Sequence, residues 1–140
     1  MPALQVVDAV DSRLINNWSA TPIIPYDSYD DPPEDAEAFV VVQYPVVFEE
    51  KPLLSRTFWE RGVIRLVLNV KRGIGQRQGI IWSDGLKAIF REAKFDGVHT
   101  HEADGPIVDD TVENGNWISY SNEIHYHYEF VSAVYEPVSV

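Results

Sequence analysis

VIRLVLNVKRGIGQRQGIIWSDGLKAIF, residues 63–90, changes its period midway. In its first part Ile64, Leu66, Leu68 and Val70 share one parity, and Val63, Arg65, Val67 and Asn69 share the other. Side chains alternate across a strand, so period two with β-branched residues predicts a β-strand with an apolar face. Lys71-Arg72-Gly73-Ile74-Gly75 follows, and Gly73 and Gly75 permit a tight reversal there. Beyond it Trp82, Leu86, Ile89 and Phe90 recur at helical spacing, which predicts an amphipathic helix. Its stripe is expected to pack back on the strand. Strand, glycine turn and helix form the centre of an α+β domain spanning residues 1–140.

The flanking segments extend this plan. AFVVVQYPVVF, residues 38–48, is strongly β-prone, and its continuous apolar character predicts cover on both faces, from helices or a subunit interface. Pro45 cannot donate a ladder hydrogen bond, so a bend, a bulge or an edge is expected there. EEKPLLSRTF, residues 49–58, is long for a hairpin connection. It mixes Leu53, Leu54 and Phe58 with Lys51 and Arg56, and Trp59 follows. These six residues are the candidate interface arm; the alternative is that the apolar ones fold onto the core.

Residues 3–18 read as a helix with Leu4, Val7, Val10, Leu14 and Trp18 near one face. Residues 19–37, with Pro22, Pro25, Pro32 and Pro33 among acids, read as a loop whose Ile23, Ile24, Tyr26 and Tyr29 lie against the body or a neighbour. Val98–Glu102 reads as a short strand, and residues 103–116 as an acidic hairpin tip or mobile loop. In residues 117–134, Ile124, Tyr126, Tyr128 and Phe130 alternate with Glu123, His125, His127 and Glu129, so one face is apolar and one polar. The element order predicts a mixed, mainly antiparallel β-sheet with two main helices packed on one face.

Composition narrows the function. The formal charge is −11, from 22 acids against 11 Lys and Arg. Such a surface repels phosphate and disfavours sequence-independent nucleic-acid binding. The absence of cysteine excludes a disulfide framework and thiolate metal sites. No apolar run has membrane-helix length, and the first residues lack the basic flank of a signal peptide, so a soluble chain with no membrane partner is expected.

Two patterns invite chemistry. His99-Thr100-His101 and His125-Tyr126-His127 place two imidazoles each on one strand face, where they can converge on a metal with Glu102, Asp104 or Glu123. The simpler reading is a polar sheet face, and no metal is expected. Gly73, Gly75 and Gly79 before a helix have the look of a dinucleotide-binding turn, with Arg72 and Arg77 available to an anion. That turn belongs to parallel βαβ units, which the strand order does not predict, so no cofactor is expected. The acidic run of residues 27–37 lacks the spacing of an EF-hand loop. No nucleophile–base, P-loop or HExxH motif is present, so catalytic residues are not expected.

Three stretches together resemble a phage family. DAVDSRLINNW followed by TPIIPYDSYDDPPEDAEAFVVVQY, then RGVIRLVLNVKRGIGQRQGIIWSDGLKAIF, then GVHTHEADGPIVDD through GNWISYSNEIHYHYEF are similar to the lambda-type tail-tube terminators (minor tail proteins) of siphovirus-like phages. Relatives in prophages and gene transfer agents share the pattern. The resemblance implies a homo-hexameric ring that sits on the tail tube, halts its polymerisation and offers a surface to the head-completion or neck protein. It also implies location in the virion, after assembly in the host cytoplasm, with DNA passing through the ring unbound. The alternatives are a head-completion or connector protein, a metal-dependent enzyme built on His99, His101, His125 and His127, and a small-ligand binding module.

Overall fold

The computed structural model describes residues 3–24, 36–50, 57–109 and 116–131. The elements in chain order are α1 (Leu4–Asn17), β1 (Ile23–Ile24), β2 (Ala38–Glu50), β3 (Thr57–Lys71), α2 (Gln76–Phe90), β4 (Lys94–Phe95), β5 (Val98–Asp109) and β6 (Trp117–Val131). The described strands form one six-stranded sheet, ordered β1-β2-β3-β6-β5-β4. Only the β1–β2 pair is parallel. The expected mixed, mainly antiparallel α+β fold is therefore present.

β3 and β6 form the spine, paired without interruption from Thr57↔Val131 to Lys71↔Trp117. The even residues of β3 behave as their alternation predicts. Ile64, Leu66, Leu68 and Val70 are buried, joined by Val40 and Val42 of β2 and by Tyr120, Ile124 and Tyr126 of β6. Both helices contribute to this core, through Val6, Val10 and Leu14 from α1 and Leu86 and Phe90 from α2. The helices lie on one face of the sheet, and the opposite face is bare of other elements among the described residues.

The helix faces differ in detail from the sequence expectation. On α1 the buried stripe is Val6, Ala9, Val10 and Leu14, while Leu4 is 69% exposed. The helix start is set by a hydrogen bond from the Ala3 N–H to Glu60 Oε1 at 2.8 Å, which turns Leu4 outward. On α2 the buried line runs Gly79, Ser83, Leu86, Lys87 and Phe90, with Trp82 and Ile89 at its margins. Gly79 is there because the Tyr120 ring lies against the helix. A Cβ at Gly79 would stand 2.4 Å from Tyr120 Cζ, so this glycine serves close packing. Gly73 and Gly75 hold φ of 100° and 105°, as the expected reversal requires, with open space where a Cβ would point.

The strands also correct two expectations and narrow a third. Ile23 and Ile24, read as loop, pair with Val40 and Val41. Within one chain the helix layer covers β2 only as far as Val42, its last buried residue, and Val46 and Phe48 are each 45% exposed. A register shift between Gln43 and Val46, at Pro45, keeps both on the side opposite the helices. Residues 103–109, read as a tip or mobile loop, continue β5 as strand, because shifts at Thr100/Ala103 and Asp104/Ile107 absorb the extra residues without ending the pairing. Phe58 and Trp59 of the expected arm belong to β3, while Lys51, Leu53, Leu54 and Arg56 lie outside the described residues. So do most of the acidic run, the tip at 110–115 and the C-terminal tail.

Candidate functional site on the open sheet face

The bare face concentrates the histidines. Strand alternation puts Trp59, Arg61 and Val63 of β3 on it, beside His125 and His127 of β6, and the register sets Arg61 opposite His127 and Val63 opposite His125. On the other side of β6, His99 pairs with His127. On the other side of β3, Phe48 pairs with Arg61 and Val46 with Val63. The two HxH motifs thus meet across the β5–β6 ladder, and a cleft opens beside them. It measures about 630 Å³ and is lined by Val46, Phe48, Trp59, Arg61, Val63, His101, Glu102, His125 and His127, with Gly62 and Tyr126 below.

Within this region the rings stack. His127 lies 4.6 Å from His99, 4.8 Å from His101 and 5.0 Å from Trp59 between centroids, with interplanar angles of 10°, 19° and 22°. His101 Nε2 and His127 Nδ1 are 2.6 Å apart and share a hydrogen bond. Burial holds the His127 pKa below the ordinary 6.5, and the neighbouring His101 and His99 push it the same way. His125 stands apart from the stack, its Nε2 2.9 Å from Asp104 Oδ2. Arg61 bridges to Glu50 at 3.1 Å and lies over the Phe48 ring at 5.2 Å. Arg65 bridges to Glu123 at 3.3 Å.

This arrangement favours ring contact over metal coordination. His99 and Trp59 lie over the His127 ring, and the His101 nitrogen that faces His127 is taken up by the hydrogen bond between the two rings. No group of three or more His, Asp or Glu among the described residues is arranged to hold a metal ion. A smaller cleft of about 360 Å³ lies beside the glycine turn, lined by Val70, Lys71, Gly73, Gly75, Gln76, Val108, Ile118 and Tyr120. Neither Arg72 nor Arg77 lines it.

One important residue escaped the sequence reading. Glu60 is 3% exposed on the helix side of β3, where its Oε1 accepts from the Ala3 N–H and its Oε2 from the Tyr126 hydroxyl at 2.7 Å. Burial and the Glu60 carboxylate together push the Tyr126 pKa upward, so the phenol stays protonated and donates. The carboxylate sits at the start of α1, where the helix dipole favours negative charge. Its parity, shared with Ile64 and Leu66, was the available signal.

No protein-family model and no curated protein matches the chain. Among solved structures, one chain whose name describes no activity aligns over 93% of this protein and 97% of itself, with a TM-score of 0.61 at 14% identity. At that identity the likeness shows the fold alone. No described helix is long and apolar enough to cross a membrane.

Proposed function

We propose that this chain is a ring-forming structural subunit that caps a phage tail tube, stops its polymerisation and presents a joining surface to the head or neck. The observation that carries the reading is the exposed apolar part of β2 beyond Val42. Beyond Val42 no residue of β2 is buried, yet the strand continues to Glu50 and displays Val46 and Phe48 beside Trp59 and Val63. Exposed apolar groups gathered in one place mark an interaction surface. The resemblance of the three sequence stretches supplies the kind of partner: sister copies in a ring, the tube protein and a neck protein. Heterologous contacts that close by rotation leave no free end, which is what a terminator requires.

In this reading the chain performs no catalysis and uses no cofactor. Six copies carry roughly −66 formal charges, which repel DNA phosphates where acids line the hole. The test is tube growth followed by light scattering, using purified tail-tube protein with and without this chain. Growth that stops at substoichiometric amounts supports the cap. Elongation to the same length in its presence contradicts it.

A further inference from the structure

We propose that His127, packed among His99, His101 and Trp59, is a proton-sensitive clasp that joins β5 and β3 across β6 at the base of the β2–β3 arm. Neutral rings hold the clasp shut, and their protonation releases Trp59 and reshapes the cleft wall. The geometry supplies the argument. Two imidazoles, His99 and His101, have ring centroids 4.6 and 4.8 Å from that of His127, and the His101–His127 hydrogen bond needs one N–H and one bare nitrogen. One proton can be shared along that bond. A second makes both facing nitrogens donors and places like charges in stacked rings, so the bond and the stacking are lost together.

The groups around the stack are mixed in sign. From β3 Arg61 opposes a charge on His127, and from β6 Glu129 favours one. Lys94 of β4 pairs with His99 and adds positive charge there. Glu102 of β5 borders the cleft beside His101. Two further carboxylates are engaged: Glu50 of β2 by Arg61, and Asp104 of β5 by His125. Burial of His127 and its two imidazole neighbours outweigh Glu129, and the ring is held in its neutral form. The sign follows. A histidine depressed below 6.5 in the folded chain opposes folding as pH falls through 6.5, and the full effect is reached below its folded pKa. Nothing in this device depends on ring assembly.

The test is a titration of the full chain from about pH 7.5 to about pH 5, following imidazole Cε1–H signals by NMR together with tryptophan emission. His127 is expected to titrate below 6.5, and emission is expected to change over the same interval. Trp59→Phe should remove that emission change, His127→Gln should remove the transition, and His125→Gln should leave it. If His127→Gln does not fold, His101→Gln takes its place under the same criterion. A His127 midpoint at or above 6.5 overturns the clasp, as does a transition that survives loss of the stacked histidine.

Discussion

At the scale of single residues, four positions bear weight that their chemistry alone would not suggest. Glu60 accepts two hydrogen bonds, one from the part-buried Ala3 N–H and one from the buried Tyr126 hydroxyl. Glu60→Ala leaves both unpaired and should cost about 1–3 kcal/mol for each donor left buried, read by urea denaturation. Glu60→Gln keeps an acceptor for one and should cost clearly less; equal losses for the two variants would contradict the pairing. Gly79→Ala should also destabilise, by about 1–3 kcal/mol from overpacking, although alanine is the better helix former. A gain in stability would mean that Tyr120, 2% exposed, yields more readily than its packing implies. Gly73→Val and Gly75→Val force β-branched residues to positive φ and should each lower the melting temperature, at a cost of about 1–3 kcal/mol.

Among the elements, the β3–turn–α2 unit was legible because its period changes from two to 3.6 at the glycines, and both signals are local. The helix faces were read less well. Leu4 looks apolar in any window, but its exposure follows from where Glu60 holds the start of α1. The continuation of β5 through residues 103–109 was hidden because Asp104, Gly105 and Pro106 read as turn chemistry, whereas β6 supplies an unbroken partner edge. The pairing of His99 with His127 joins positions 28 apart and leaves no local signature, although each HxH motif announced its shared face. The distal β2–β3 hairpin is the element the functional reading turns on. Val46→Ser with Phe48→Ser should leave the far-ultraviolet circular dichroism and stability nearly unchanged, since both side chains are 45% exposed, while weakening capping. Capping at full strength with a normal fold would remove the hairpin from the interface.

For the whole molecule, a single sheet covered by helices on one face and bare on the other places burial and display on opposite sides of the same strands. On β3, Ile64, Leu66 and Leu68 fill the core beneath the helices, while on the opposite side Trp59 and Arg61 border the open cleft around a Val63 that is itself buried. A sequence records which residues alternate, but a bare face acquires meaning only from what lies on it, and a partner leaves no period in the chain that binds it. The central claim is that this face and the exposed end of β2 join copies of the chain into a closed cap. Cryo-electron microscopy of tail tubes assembled with the chain tests it most directly. The account predicts a ring of copies at one tube end, with Val46 and Phe48 buried against a neighbouring copy or the tube; tube ends without the chain, or a ring in which both residues remain in solvent, would contradict it.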